Sequence, residues 1–370
     1  MNRELIFISM HLPSPDFPQA GQKLAYTRLK KFTEEYSVHL VSFVNDAEYE
    51  YIREENYTFC KSVSFISLSN FNRLKNFIFS FYLPAKVAIR NDRRMKRKLN
   101  LLLEKYPVAH IHIEFEQGAV YLQDKMNNDT TVVFHDVISQ SLARFAELNT
   151  SFIKSFFYKT QHKKMFRWEQ VIIKKITNKI VLNEKDAKLI RDISDSVSNV
   201  YIDYPVVSDI YKKISRDKVI PGCLLFWGAM SRFENIDAVQ WFVNDIFPII
   251  VNEVPETKLF IVGSNPTEEV KLLESDKIVV TGYVDDPVPF FEKAHIAIVP
   301  LRYGAGIKIK VIEALAAGLD VVTTDVGAEG IIDQGQKLYI ANSTADFAET
   351  IINIINGKLT LTANNVDMNL

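Results

Sequence analysis

Short apolar runs rich in β-branched and aromatic residues alternate with longer stretches whose apolar positions recur at helical spacing. That alternation predicts an α/β chain in which helices cover parallel sheets. In the first half, Leu5–Ser9, Val38–Phe43, Val63–Ile66, Ala109–Ile113, Thr131–Phe134 and Lys179–Leu182 read as strands. Helical patterns fall between them, including Lys23–Glu35, Asp92–Glu104 and a long stretch from Phe152 to Ile176. Past Tyr204-Pro205 the rhythm restarts. Strands at Leu224–Trp227, Lys258–Val262, Ile278–Thr281, Ile296–Val299 and Val321–Thr324 alternate with helices at Ile236–Ile250, Val288–Glu292 and Lys308–Ala317. The segment from Val207 to Gly222 is largely polar, ends in a Pro-Gly turn and reads as a linker. Two doubly wound halves in one chain predict a cleft between them, and ligands of such sheets sit beyond the carboxyl ends of the strands. The tail after Gly357 reads as weakly ordered or as an extended crossing segment.

Composition narrows the field. The 370 residues are 47% apolar and 24% charged, with a formal net charge of −1. A chain of that length favours two domains, and its neutral total gives no global attraction to nucleic acid or membrane. Cys60 and Cys223 are the only cysteines, far apart in sequence, which excludes a disulfide framework and a cysteine-rich metal site and fits cytosolic residence. The opening MNRELIFISMHLP is too short for a membrane span and lacks a small-residue cleavage pattern, so it reads as a first buried strand.

One stretch carries candidate chemistry: Pro300-Leu-Arg-Tyr-Gly-Ala-Gly-Ile-Lys-Ile-Lys-Val-Ile-Glu-Ala-Leu-Ala-Ala-Gly318. A buried strand feeds a loop with Gly304 and Gly306, then a helix that stops at Gly318. Glycines let backbone approach a ligand closely, and a helix start offers unpaired N–H groups and a positive dipole end. Arg302, Lys308 and Lys310 bring three cations to that start, which is unfavourable for the helix alone and favourable with a bound diphosphate. Glu313, one turn further on, could accept hydrogen bonds from ribose hydroxyls. A plain glycine-containing turn with a solvated basic edge and a Lys310–Glu313 surface pair accounts for the same residues, and both readings stay open.

The stretch GAGIKIKVIEALAAGLDVVTTDVGAEGI resembles the donor-site signature of retaining GT-B glycosyltransferases of glycosyltransferase family 4, in particular the bacterial branch that builds capsule, O-antigen and exopolysaccharide. LLFWGAMSRFENIDAVQWFVNDIFPII, KLFIVGSNP and VVTGYVDDPVPFFEKAHIAIVPLRYGAG resemble the preceding segments of that family's C-terminal domain, in the family's order. VVFHDVISQSLARF resembles the branch's His-Asp loop. FRWEQVIIKKITNKIVLNEKDAKLI resembles its interdomain helix and the strand after it.

The resemblance implies a GT-B architecture of two facing Rossmann-like domains, with residues 1–206 on the acceptor side and 207–370 binding the nucleotide sugar. It implies that Glu313 binds the nucleotide ribose, that Gly306 and Ile307 offer backbone amides to the distal phosphate or the sugar, and that Gly304 falls in the donor site. Lys308, Lys310 and Arg302 match basic positions of the branch. Gly228 falls in the donor site, and Thr281, Gly282 and Val284 border the base. Gly21 matches the N-terminal glycine loop facing donor phosphate and acceptor, while His135 and Asp136 project toward the transferring sugar as the catalytic candidates. No metal or other cofactor is implied. The sequence departs from the pattern in two ways: the first glutamate of E-x7-E falls on Ala305, and the arginine and lysine usual after the first strand of the C-terminal domain fall on Ala229 and Glu234.

His110 and His112 alternate beside Glu114, and ordinary strand histidines explain them better than a metal site. Two stretches are basic against the neutral total. Arg73 to Lys98 holds nine Lys or Arg against Asp92, and Lys154 to Lys179 holds eight against Glu169, both interleaved with aromatics. A solvated helix face and a face for an anionic membrane surface both fit them. No nucleic-acid recognition motif accompanies the charge.

Together these readings predict a hexosyltransferase-type enzyme that moves a sugar with retention from a nucleoside-diphosphate donor to a glycan or lipid-linked glycan acceptor. It would work in the cytoplasm or at the inner face of the membrane, in surface polysaccharide synthesis. A GT-B epimerase or hydrolase acting on nucleotide sugars, and a non-catalytic GT-B glycan-binding subunit, are the alternatives.

Overall fold

The structure is a computed structural model that describes residues 3–122, 129–148, 151–193, 199–331 and 337–359. From residue 360 onward the tail considered above lies outside the described residues. The chain divides into two compact units, Met1–Tyr204 and Pro205–Leu370.

In the first unit, β1 (Arg3–Ser9), β2 (Tyr36–Val44), β3 (Ser62–Ser67), β4 (His110–Glu114), β5 (Thr130–Phe134), β6 (Asn178–Val181) and β7 (Val200–Ile202) form one sheet. Its order is β3-β2-β1-β4-β5-β6-β7, and all pairs are parallel. Period-2 geometry sends alternate side chains to opposite faces. Here both faces are buried. Leu5 and Phe7 of β1 pack with Leu29 of the helix Ala20–Phe32, while Ile6 and Ile8 join a second cluster with Leu99, Ile173 and Ile190. A strand covered on both sides reads as a continuous apolar run rather than an alternating one.

The second unit repeats the plan. Strands β8 (Cys223–Trp227), β9 (Lys258–Val262), β10 (Ile278–Gly282), β11 (Ile296–Val299), β12 (Asp320–Thr323) and β13 (Leu338–Ile340) are all parallel in the order β10-β9-β8-β11-β12-β13. In each sheet the order reverses beside the first strand, between β1 and β4 and between β8 and β11. Such switch points are where doubly wound sheets hold ligands.

Three expectations shift. The first helix begins at Ala20 rather than Lys23, so Gly21 sits in its first turn and not in a loop. The helix expected over Ile236–Ile250 is three pieces: Phe233–Trp241, a π turn at Phe242–Ile246, and Phe247–Glu253. Pro248 has no N–H to give the carbonyl four residues back, and the wider turn absorbs the missing bond. The polar segment 207–222, read as a linker, is mostly exposed but tied to the second unit at two points. Tyr211 is buried in the second unit's core, and Arg216 donates 2.6 Å hydrogen bonds to the carbonyls of Phe291 and Ala294.

Candidate functional site

At the carboxyl edge of the second sheet, three neighbouring strands end on glycine. Gly228 follows β8, Gly263 follows β9 and Gly282 closes β10, with φ of 157°, 154° and 72°. A Cβ on Gly263 would lie 1.7 Å from the Gly228 carbonyl oxygen, and one on Gly228 would lie 2.7 Å from Lys310 Nζ. Backbone leaves no room for a side chain at Gly263, and one at Gly228 would have to displace Lys310. Gly263→Ala is therefore expected to lower the thermal midpoint by several degrees, since overpacking costs about 1–3 kcal/mol; an unchanged midpoint in a thermal melt would show that this edge can relax.

Lys310 lies in the first turn of the helix Ile309–Ala316. Its Nζ donates to Asn235 Oδ1 at 2.7 Å and sits 4.5 Å from the centre of the Phe226 ring. Asn235 Nδ2 in turn donates to the Ala229 carbonyl at 2.7 Å, which fixes the amide so that its oxygen faces the lysine. Burial, then the nearby charges of Arg232 and Lys308, push the Lys310 ammonium down to about 7. Glu234 and Glu313 offset this only in part, and a half-buried ammonium held so far below its usual value is a feature of sites that wait for an anion.

The three cations do not act alike. Arg302 makes a two-pronged pair with Asp237, at 2.9 and 2.6 Å, and lies over the Trp241 ring. Its charge is largely spent within the protein. Lys308 precedes the helix and turns back to the Gly306 and Ala305 carbonyls, at 2.5 and 3.1 Å, bracing the glycine loop. Gly304 and Gly306 take φ of 119° and 70°, which L side chains rarely adopt, so that loop shape depends on glycine. Glu313 is not a surface residue, although its charge does favour the Lys310 ammonium. It is half-buried and hydrogen-bonded to the Tyr211 hydroxyl. Glu234 pairs with Arg232 at 2.6 Å; burial works to raise its carboxyl, but Arg232 and Lys310 hold it below the usual range. Ala305 and Ile307 lie in the loop, half-buried. On the β10 side, the Thr281 hydroxyl donates to the Gly282 carbonyl and Val284 is half-buried.

The first unit carries a second constellation, again at strand carboxyl ends. His135 follows β5, stacks on Phe115 with ring centres 4.1 Å apart, and donates from Nε2 to Glu114 Oε2 at 2.8 Å. Glu114 is fully buried at the end of β4. Its other oxygen accepts from Arg28 Nη1 at 2.6 Å and His112 Nε2 at 3.0 Å. Burial alone would raise the Glu114 carboxyl, yet Arg28, His112 and His135 hold it well below the usual carboxylate range. Arg28 is anchored in turn by Asp203 at 2.6 Å. Because Glu114 stays ionised and accepts at Nε2, His135 keeps its Nδ1 for other partners. That nitrogen lies 3.4 Å from where a Cβ on Gly21 would stand, so glycine keeps its approach open.

Asp136 goes elsewhere. It lies half-buried near the buried carboxyls of Glu116 and Glu169, which accept from the Ile138 and Ser139 amides at 3.2 and 2.9 Å. Burial and then Asp136 push Glu169 up to about 7. His110 takes ordinary partners in Thr131 and Asp129, and His112 stacks on Phe7. Glu114, Arg28, Asn235 and Gly263 were not among the sequence-predicted site residues. An acid two places after a strand histidine and a glycine at a strand end were the available signals for Glu114 and Gly263.

Residues 222–357 match the family model described as glycosyl transferases group 1. Over its whole length the chain is similar to sucrose-phosphate synthase from Thermosynechococcus elongatus (TM-score 0.64, 16% identity, covering 96% of this chain and 90% of that one). It is similar to TarM to the same degree (0.64, 13% identity, 96% and 92%). The fold is GT-B. The chain is also similar to HepE of Anabaena, solved with UDP and glucose, at a TM-score of 0.59 and 12% identity, covering 96% of this chain and 90% of that one. In sequence, an uncharacterised 44.6 kDa protein in the cps region of Klebsiella pneumoniae is 31% identical over 140 residues, 35% of this chain and 36% of that protein. The poly(glycerol-phosphate) alpha-glucosyltransferase of Bacillus subtilis is 34% identical over 102 residues, 25% of this chain and 15% of that protein. The chain thus spans little more than a third of the first curated relative it matches and less of the second. The glycosyl transferases group 1 domain contains the glycine edge, Lys310 and Glu313.

Proposed function

We propose that this protein is a retaining glycosyltransferase that takes a sugar from a nucleoside-diphosphate donor and passes it to a hydroxyl of a glycan or lipid-linked glycan in surface polysaccharide synthesis. The observation that carries the reading is Lys310, a half-buried ammonium in the first turn of a helix beside three glycine-ended strands. That arrangement suits a diphosphate. Backbone N–H groups of the helix start and one half-buried cation meet charge that grows as the leaving group departs, an interaction often worth more than any other in catalysis. Lys308 shapes the loop, Glu313 binds the ribose, and the Cβ-free edge at Gly228 and Gly282, flanked by Thr281 and Val284, accepts the nucleoside. In the first unit, His135 Nδ1 hydrogen-bonds the transferring sugar beside Gly21. The cps-region relative supports the polysaccharide role, and HepE, solved with UDP and glucose, supports the donor class. The reading puts the enzyme in the cytoplasm, at the inner face of the membrane when its acceptor is lipid-linked. With the diphosphate met by protein groups, no metal is required.

Thermal stabilisation by a panel of nucleoside-diphosphate sugars tests the donor site. A ligand at about 100 times its Kd adds about 2.7 kcal/mol to stability. Glu313→Ala should weaken that binding roughly ten- to a hundred-fold, the cost of a hydrogen bond involving a charged group. Transfer should also survive EDTA. If no donor stabilises the protein, the reading fails; if EDTA abolishes transfer, the metal-free mechanism fails.

A further inference from the structure

The helix Asn70–Phe79 is turned inside out. Its buried side chain is polar: Asn76 donates to the Ile89 carbonyl at 3.2 Å and to Asp92 Oδ2 at 3.1 Å. Its apolar stripe, Phe71, Leu74 and Ile78, is at helical spacing and faces solvent, with Phe71 74% exposed. Phe79 follows at 66%, and the chain then exposes Phe81 and Tyr82. Single exposed apolar residues are ordinary, but a continuous patch on a helix and its loop marks an interaction surface. A second exposed apolar edge lies on a helix that packs against the loop after this one. Lys164 donates to the Phe81 carbonyl at 2.9 Å and Gln161 accepts from the Ala85 amide at 2.8 Å, so the helix Phe152–Lys175 packs against this loop. The first turn of that helix exposes Phe152 and Ile153 at 84% and 80%.

Charge selects the occupant. No Asp or Glu occurs between residues 71 and 91 or between 151 and 168, whereas Arg73, Lys75, Lys154, Lys159 and Lys163 lie in these stretches. The Arg93 guanidinium stands over the Phe79 ring at 5.7 Å. A second copy docked through the same face would set cation against cation, because a twofold contact brings identical patches together. An anionic lipid surface offers the reverse: hydrocarbon for the aromatic and aliphatic side chains, and phosphate for the lysines, whose stems can extend to the headgroups. Among the described residues no helix is long and apolar enough to cross a membrane, so such an element would lie in the interface rather than span it.

We propose that the helix Asn70–Phe79 and the aromatic loop after it form an interfacial lipid-binding element that seats the first unit on an anionic membrane surface. The proposal stands on this surface alone and does not depend on the donor-site reading. Flotation with phosphatidylcholine vesicles, with and without phosphatidylglycerol, tests it. The wild-type protein floats with the anionic vesicles. The variant Ile78→Ser/Phe79→Ser/Phe81→Ser, altered only at solvent-facing side chains, loses at least about a hundred-fold in partitioning, since each buried apolar side chain is worth about ten-fold or more. Lys75→Glu with Lys154→Glu keeps the fold and loses the preference for anionic over neutral vesicles, at about five-fold or more per charge. Phe71→Ser alone replaces the triple variant should that one melt early. Absence of wild-type binding overturns the proposal, as does equal flotation of the apolar variants. A concentration-dependent dimer that these variants abolish, with no vesicle binding, overturns it in favour of a second copy.

Discussion

Replacing Glu114 by Gln is expected to lower kcat by about two to three orders of magnitude while leaving the affinity for free nucleoside diphosphate unchanged. The carboxylate accepts from His135 with one oxygen and from Arg28 and His112 with the other. An amide cannot accept at both ends. Whichever way the Gln side chain turns, its NH2 faces a donor: His135 on one side, or the Arg28 and His112 pair on the other. If it faces His135, the imidazole moves its proton to Nδ1, and the nitrogen beside Gly21 becomes a donor instead of an acceptor. A misplaced proton on a catalytic histidine costs about ten-thousand-fold in serine proteases, where the imidazole does the full acid–base work. A role limited to the transferring sugar should cost less. Loss of the carboxylate charge also weakens the restraint on Arg28, and breaking a buried pair costs about 3–5 kcal/mol, so the variant should melt several degrees lower. The tautomer is the readout that separates orientation from simple destabilisation. Nitrogen NMR of the histidine ring should show His135 protonated at Nε2 in the wild type and at Nδ1 in Glu114→Gln. A variant that melts lower, keeps the wild-type tautomer and turns over normally would make the network structural only. His135→Ala, which removes the imidazole itself, should depress kcat and kcat/KM together.

How far this constellation was legible follows from distance in sequence. His135 stood out because a β-rich run leads into it, and a parallel sheet puts the end of that run at the ligand edge. Its partners did not, because Arg28 reaches Glu114 across 86 residues and Asp203 across 175, and no local pattern encodes such a meeting. The same limit explains Arg302. Three cations near a helix start read as one anion site, but Asp237, 65 residues earlier, takes Arg302 out of it. Local sequence gives the charges and not their pairings.

The sheets were legible because strands buried on both faces must be apolar throughout. The edge strands Val200–Ile202 and Leu338–Ile340 were not read. Each has three residues with partly exposed side chains, so neither a run nor an alternation stands above the background. The helix Ala20–Phe32 starts early because Pro18 and Gln19 precede it without a side-chain cap to announce the start. The exposed stripe on the helix Asn70–Phe79 carries a different lesson. Helical spacing gives a stripe without saying which way it faces, and the burial of Asn76 shows that this one faces solvent.

Donor binding above neutral pH is expected to take up one proton at Lys310, and affinity should fall as pH rises. In the free protein, burial and the neighbouring Arg232 and Lys308 hold this ammonium down to about 7, so above that pH it is mostly neutral. A bound diphosphate reverses the balance, because an adjacent anion favours the charged form. Binding at pH 8 therefore requires protonation. The sign follows from linkage: the complex binds more protons than the free protein, so affinity drops by up to about ten-fold per pH unit above 7 and levels off below it. The unliganded fold behaves the other way. The unfolded chain holds this proton up to the ordinary lysine value of 10.5 while the folded chain releases it near 7, so stability rises with pH across that window. Calorimetry at pH 8 in buffers of different ionisation enthalpy measures the proton directly. Wild type should show an uptake approaching one proton per nucleoside diphosphate. Lys310→Met should show an uptake near zero, weaker binding below pH 7, and an affinity that no longer changes between pH 7 and 9. Met fills the space beside Phe226 and Gly228, so the fold should survive the exchange. If wild type binds the diphosphate with no proton uptake at pH 8, or if Lys310→Met keeps the wild-type pH dependence, this lysine is not the group that meets the diphosphate, and the donor reading loses the observation on which it stands.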